Sequence, residues 1–183
     1  DGSSKFGPQN RYGFFPSFSA GWKIHEEPFM SSTRSWLDNL KLRASWGQTG
    51  NCSGIGNFAW QSTYDSENIV IDGVPSTGLY VASMSNLNLK WETTSTTDIG
   101  LDMAFFKNRL TADVDYYFKE TKDILFTPST YLTMGNISQV PSNLGSMWNQ
   151  GVEIALGWKD TIGKDFYYNV GINIHARKKG AIL

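Results

Sequence analysis

The sequence predicts an all-β fold, an antiparallel up-and-down transmembrane β-barrel segment of about six strands. Three observations predict it. Six stretches alternate apolar and polar residues with a period of two. All the charge in those stretches falls on one of the two faces. Apart from the first connection, tight turns alternate with long polar loops. A two-faced sheet is the regular structure with period-two alternation, and an up-and-down outer-membrane barrel joins its strands by short turns at one end and long loops at the other.

The first strand sets Phe18, Ala20, Trp22 and Ile24 against Ser17, Ser19, Gly21 and Lys23. The second sets Leu40, Leu42, Ala44 and Trp46 against Lys41, Arg43, Ser45 and Gly47. In the third, Ile99, Leu101, Met103 and Phe105 alternate with Asp98, Gly100, Asp102, Ala104 and Phe106. In the fourth, Leu110, Ala112, Val114, Tyr116 and Phe118 alternate with Thr111, Asp113, Asp115, Tyr117 and Lys119. The fifth places Val152, Ile154, Leu156 and Trp158 opposite Gly151, Glu153, Ala155 and Gly157. The sixth places Phe166, Tyr168, Val170, Ile172, Ile174 and Ala176 opposite Tyr167, Asn169, Gly171, Asn173, His175 and Arg177. The apolar set holds 27 residues and no charge, whereas the other holds 28 residues and ten charges.

The connections span 25–39, 48–97, 107–109, 120–150 and 159–165. Short turns on the periplasmic side and long loops outside fix the direction of each strand: the first, third and fifth run towards the periplasm, the others outward. The stretch 26–37, with Pro28 and Trp36, is expected to hold a short helix beneath the rim. The third strand extends back through Trp91, Thr93, Ser95 and Thr97, whose polarity places that part above the membrane. Aromatic residues of the apolar face gather at the strand ends. Trp22, Phe105, Trp158 and Phe166 lie at the periplasmic ends, and Trp46 and Phe118 at the outer ends. Two aromatic belts at the lipid–water boundaries account for them. A soluble sandwich with an aromatic core also alternates apolar and polar residues, but it has no reason to concentrate aromatics at strand ends or to sort its connections by length.

Composition agrees. Hydrophobic residues make up only 40%, yet aromatics reach 14%, with seven Trp and 18 Gly, a β composition. Sixteen Lys and Arg face seventeen Asp and Glu, which leaves no electrostatic footprint for nucleic acid or for anionic lipid. Cys52 is the sole cysteine and makes no internal disulfide. The chain opens at Asp1 and stops at Leu183 after a strand-like run. The reading therefore expects residues 1–183 to be part of a single outer-membrane barrel domain, truncated at both ends, with no signal peptide and no plug domain.

No catalytic constellation, cofactor motif or metal-ligand spacing is evident, and the chain reads as a non-enzyme. His25 and His175 are far apart. Gly54 and Gly56 begin a Gly-x-Gly without the third glycine. Asn51-Cys-Ser and Asn136-Ile-Ser match a glycosylation pattern of low specificity. Asp102 and Asp113 flank the 107–109 turn at nearly equal distance, so hairpin pairing sets them opposite each other on the polar face. Like charges in that position destabilise a sheet, and something must compensate. The favoured reading is a lumen charge lattice, in which Lys23, Lys41, Arg43, Lys119 and Arg177 balance Asp98, Asp102, Asp113, Asp115 and Glu153. The sharper alternative is a cation or substrate site. The lining sums to zero charge, which suits neutral or mixed substrates better than strongly anionic ones.

Several segments, in order along nearly the whole chain, carry a resemblance. They are Asn10-Arg-Tyr-Gly-Phe-Phe-Pro-Ser-Phe-Ser-Ala-Gly-Trp22, Trp36-Leu-Asp-Asn-Leu-Lys-Leu-Arg-Ala-Ser-Trp-Gly-Gln-Thr-Gly-Asn51, Asn88-Leu-Lys-Trp-Glu-Thr-Thr94 and Asp98-Ile-Gly-Leu-Asp102. Phe106-Lys-Asn-Arg-Leu110, Asp115-Tyr-Tyr-Phe-Lys-Glu-Thr-Lys-Asp123 and Asn149-Gln-Gly-Val-Glu153 complete them. Together they resemble the SusC/RagA family of TonB-dependent outer-membrane transporters. The resemblance implies a barrel of about 22 strands with a plugged lumen, of which this chain is a part. It further implies import of oligosaccharides or peptides across the outer membrane of Bacteroidetes-type bacteria, a SusD-like surface lipoprotein over the barrel, and energy supplied through TonB. The competing reading is a secreted or surface-exposed, non-enzymatic β-sheet domain for binding or adhesion.

Overall fold

A computed structural model describes residues 1–129 and 140–182. Asn136 and the centre of the 120–150 connection lie outside them. The strands are β1 (Ser17–Lys23), β2 (Leu37–Asn51), β3 (Thr63–Ile71), β4 (Val74–Ser83), β5 (Glu92–Phe105), β6 (Leu110–Lys122), β7 (Leu125–Phe126), β8 (Ser142–Asn143), β9 (Ser146–Ile162) and β10 (Phe166–Ile182). Six of them form one antiparallel sheet in the order β1-β2-β5-β6-β9-β10, an up-and-down meander in which chain neighbours in the sheet are also space neighbours. β1 and β10 are its edges, so the sheet is open rather than closed into a barrel.

The register carries the two-face pattern unbroken across all six strands. One row runs Trp22–Leu42–Leu101–Val114–Ile154–Ile174. The next position along each strand gives Gly21–Arg43–Gly100–Asp115–Glu153–His175. Directly paired residues of an antiparallel sheet share a face. One face is therefore apolar and the other charged.

The strands are longer than their alternating cores. β2 runs on to Asn51, and β5 starts at Glu92, one residue short of the expected extension through Trp91. Above the row Trp46–Thr97–Phe118–Gln150–Lys178, the apolar face turns polar at Gln48, Ser95, Glu120 and Lys122. Backbone pairing needs no apolar side chains, so hydrogen bonding continues where the hydrophobic pattern stops. The same reason corrects the 159–165 turn. β9 runs to Ile162 and pairs Asp160 with Tyr168, leaving only residues 163–165 as the turn. Asp160 there falls on the apolar parity, but Arg109 meets it at 3.3 Å.

Other boundaries also move. Ile24 leaves β1 and opens a short 3-10 stretch, Ile24–Glu26, followed by a second at Pro28–Thr33. The second lies inside the 26–37 stretch expected to hold a short helix, and the first starts two residues before it. Phe106 leaves β5 and enters the turn with φ 57°. The 48–97 connection is not irregular. It contains the β3–β4 hairpin, closed at Asp72 and Gly73, both with positive φ. The 120–150 connection contains the short β7–β8 pair.

Leu37, Ala104 and Ala112 are buried within the sheet, but the buried cluster lies beyond the ends of its strands. Phe6, Ile55 and Leu89 are buried together, with Cys52, Ala59, Trp91 and Leu125 packed around them. This cluster ties the first residues of the chain to the connections beyond β2 and β5. Phe6 and Phe15 both meet Trp91, with ring centroids 4.9 Å and 5.5 Å apart. Asn51 Nδ2 donates to Glu92 Oε1 at 3.0 Å, and the Leu125 amide donates to Glu92 Oε2 at 3.1 Å. The amide of the first glycosylation-like Asn is thus engaged.

Candidate functional site

The charged face is the candidate site, and its geometry begins with strand parity. Lys23, Lys41, Arg43, Asp98, Asp102, Asp113, Asp115, Glu153 and Arg177 all fall on it. Lys23 pairs in register with Lys41, Lys41 with Asp102, and Asp102 with Asp113. The carboxylate pair anticipated from the tight turn is therefore present.

Arg43 supplies compensation. Its Nε donates to Asp102 Oδ1 at 2.8 Å and Oδ2 at 3.0 Å, and its Nη2 donates to Asp115 Oδ1 at 2.8 Å. The planar guanidinium suits such a fork between two carboxylates, where an ammonium would be a single point. Asp115 lies two strands from Arg43, beyond β5. The residue of β5 between them in the row is Gly100. A Cβ there would overlap Asp115 Oδ1 and come within 2.6 Å of Arg43 Nη2.

A second crossing repeats this device. Tyr117 on β6 spans β9 at Gly151 and meets His175 Nε2 on β10 at 3.3 Å through its hydroxyl. A Cβ at Gly151 would sit 2.8 Å from the Tyr117 hydroxyl oxygen. His175 Nε2 also lies 3.9 Å from Glu153 Oε1. Neither glycine stands out in the sequence as functional. The available signal was a glycine of charged-face parity, flanked in the row by a long polar side chain.

The remaining predicted positions separate. Arg177 pairs in register with Gly151, and Asp98 with Ser45 and Tyr117. Lys23 leaves the sheet's lattice and donates to Glu26 Oε1 at 3.0 Å, next to the 3-10 stretches. That hydrogen bond, with the Lys23 charge, holds the Glu26 carboxyl below its ordinary range. His25 serves the backbone, accepting the Leu40 amide at Nδ1 at 3.2 Å. No group of three or more His, Cys, Asp or Glu able to hold a metal occurs among the described residues.

The six aromatics named for the opposite face all lie on it. Trp46 and Phe118 flank Thr97 in one row, and Phe105 and Trp158 flank Leu110 in another. Trp46 stacks on Phe18 at 6.1 Å, and Phe105 on Trp36 at 5.9 Å. Relative to the Phe105 row, Trp22 on β1 is displaced towards one side of the sheet and Phe166 on β10 towards the other. A level line through tilted strands cuts hydrogen-bonded rows in this sense. No helix is long and apolar enough to cross a membrane, which says nothing of a β-barrel.

A family model described as TonB dependent receptor-like, beta-barrel matches residues 1–179. The chain is 38% identical over 172 residues to TonB-dependent receptor P26 of Formosa agariphila, covering 88% of this chain and 17% of that protein. It is 37% identical over 177 residues to TonB-dependent receptor SusC of Bacteroides thetaiotaomicron, covering 95% of this chain and 18% of SusC. Among solved structures, the RagAB peptide importer in the "closed-closed" state matches with a TM-score of 0.81 and 32% identity, over 97% of this chain and 19% of the matched one. The chain thus spans less than a fifth of the length of these relatives.

Proposed function

The chain belongs to the TonB dependent receptor-like β-barrel family, and we propose that it forms part of the wall of an outer-membrane transporter that imports oligosaccharides or peptides. The observation that carries this reading is the sorting of the sheet. One face is free of charge between the Phe105 and Phe118 rows, and the opposite face carries the nine charged residues named above. From Leu110 to Phe118 a strand rising about 3.3 Å per residue and tilted by about 40° spans roughly 20 Å, most of the apolar band of such barrels. On this reading the apolar face meets lipid, with Trp22, Trp46, Phe105, Phe118, Trp158 and Phe166 at the interfaces. The charged face lines the lumen.

Residues 1–183 then belong to a single barrel domain, and the β3–β4 hairpin and the Phe6 cluster stand on the outer side. A SusD-like surface lipoprotein and TonB are the proposed partners of the full-length protein, by its likeness to SusC. The mixed, balanced charge of the lining favours neutral or zwitterionic cargo over polyanions. The likeness to RagAB, a peptide importer, supports peptide as one such cargo.

Uptake decides the matter. Cells carrying the full-length protein in their outer membrane should accumulate labelled oligopeptide or oligosaccharide of a size excluded from general porins. Accumulation should cease when TonB is deleted. Uptake of neither class, or uptake that persists without TonB, rejects the proposal.

A further inference from the structure

Long connections are ordinarily the loosest parts of a chain, because they bury little and turn their backbone groups to water. The three on the outer side depart from that. Residues 1–16 precede β1, 52–91 join β2 to β5, and the described parts of 123–145 lie between β6 and β9. Side-chain amides of one connection take up backbone carbonyls of another. Asn10 Nδ2 donates to the Leu89 carbonyl at 3.2 Å, and Asn86 Nδ2 to that of Pro141 at 2.8 Å. Asn143 goes further. Its Nδ2 donates to the carbonyls of Lys90 and Asp123, both at 2.8 Å, and its Oδ1 accepts the Lys90 amide at 2.9 Å. One side chain thus uses both N–H groups and its oxygen, and meets Lys90 at N–H and C=O as a paired strand would.

Apolar contacts join the same three segments. Phe6 and Leu89 are fully buried, Ile55 is nearly so, and Leu125 packs against them. The first connection supplies Phe6, the third Leu125 and the second the rest, so none can leave this core without exposing the others. Glu92 fixes the assembly to the wall, since its carboxylate accepts from Asn51 of β2 and from the Leu125 amide. The β3–β4 hairpin stands apart. Its strands pair only with each other, and the Asn86 amide closes its foot on the Trp60 carbonyl at 3.1 Å.

We propose that the three outer connections form one cooperative unit, a collar that opens or holds as a whole, with the β3–β4 hairpin moving independently of it. A shared core and shared hydrogen bonds couple the local opening of each connection to that of the others. Cargo or a partner gripping one connection is then felt by all three. The collar's place at the mouth of a transporter rests on the reading above; its cooperativity does not.

Hydrogen exchange of the full-length protein in detergent, read by mass spectrometry, tests this. Segment 3–11 is closed by the Ser3 amide on Arg11 and the Asn10 amide on Gly7, each at 3.0 Å. In N143A it should exchange about tenfold faster or more, together with 123–126. Among the described residues no hydrogen bond of Asn143 reaches 1–16, so a purely local role leaves 3–11 unchanged. In the converse variant, F6A, the Leu144 amide should be released from the Ile124 carbonyl, which it meets at 2.8 Å. The β5–β6 ladder and the β3–β4 hairpin should keep wild-type rates in both variants. E92Q leaves one acceptor oxygen and gives the same pattern at about threefold, should N143A fail to assemble. Faster exchange confined to 123–126 in N143A overturns the proposal. So does an equal acceleration in β5 and β6, which would make the collar merely part of the wall. Exchange is read independently of transport: a collar that opens as one body in a protein importing neither peptide nor glycan leaves the transporter reading failed and this one standing.

Discussion

Arg43 on β2 bonds to Asp115 on β6 at 2.8 Å by passing over Gly100 of the intervening strand. The same guanidinium holds Asp102, the nearer carboxylate on β5. Three strands are thus tied across the charged face by one side chain. The arrangement needs a residue without a Cβ in the middle strand, because side chains of neighbouring strands in one row stand only about 5 Å apart.

Replacing that glycine tests the device directly. Gly100→Ala puts a methyl group onto Asp115 Oδ1 and beside Arg43 Nη2. We expect the full-length barrel to lose about 1–3 kcal/mol, from overpacking and a broken charge-assisted bond. Gly171→Ala is the control: it lies on the same face, and its Cβ would meet nothing closer than the Leu156 carbonyl oxygen at 3.6 Å. That change should be close to neutral or mildly stabilising. Urea unfolding followed by the gel shift of the folded barrel reads both. Equal midpoints for the two variants would sink the bridging role of Gly100.

Arg43 itself should behave as a fork rather than as a charge. Its side chain is about one-third exposed and its partners about one-quarter, so solvent screening lowers the value well below that of a buried network. Arg43→Ala should cost about 1–2 kcal/mol, since it leaves Asp102, Asp113 and Asp115 facing one another. Arg43→Lys should recover less than half of that, because an ammonium cannot bridge both carboxylates. A double-mutant cycle of Arg43→Ala with Asp115→Asn gives the coupling. Full rescue by lysine would mean that net charge, not geometry, matters.

Much of this sheet is legible in the sequence because it depends on parity alone. Once Leu110 and Phe105 bracket a tight turn, Asp102 must face Asp113, and the register places Trp46 and Phe118 in one row around Thr97. Parity says nothing about reach. The partner of Asp115 lies two strands away, and finding it requires the three-strand register through Gly100, which no local pattern records. The outer connections were illegible for a different reason. The β3–β4 hairpin leaves Leu79 78% and Val70 71% exposed. With no buried face it has no clean alternation, and only Asp72-Gly73 marks it. The Phe6–Ile55–Leu89 cluster joins residues remote in sequence, one from each of three irregular segments. The sequence reads as a turn over 159–165 because Asp160 breaks the apolar parity, while the backbone ladder carries β9 on to Ile162.

The inner turn carries strain that a substitution can relieve. Phe106, Lys107 and Asn108 have φ of 57°, 59° and 59°, a left-handed run without glycine. Such a backbone costs an L-residue roughly 1 kcal/mol or more. Phe106 stays near Phe105, and the Asn108 amide donates to Asp38 Oδ2 at 2.9 Å. Lys107 has no such tie among the described residues. Lys107→Gly should therefore stabilise the barrel by about 0.5–1 kcal/mol, the relief of strain less the added freedom of the unfolded chain. The unfolding midpoint should rise. An unchanged or lower midpoint would show that the lysine side chain contributes to the folded state.

The two faces should differ most in their response to charge. Leu101 and Ile154 share a row near the middle of the apolar face, joined through Val114. If that face meets hydrocarbon, an arginine there must snorkel or draw water inward, at a cost of about 2–4 kcal/mol near the midplane. Leu101→Arg and Ile154→Arg should each lower the stability of the full-length barrel by that amount and slow its folding into vesicles. Lys41 is one residue from Leu42, the Leu101 partner in that row, but on the opposite face. Lys41→Ala removes a charge from a surface already wet and should change stability by less than about 0.5 kcal/mol. A soluble sandwich would also penalise the two arginines, so the discriminating readout is the dependence on bilayer thickness. Hydrophobic mismatch moves the lipid boundary along the strands, so substitutions near the Phe118 row should grow more harmful in thicker bilayers while the central ones stay constant. Penalties that ignore thickness would place the apolar face against protein instead of lipid.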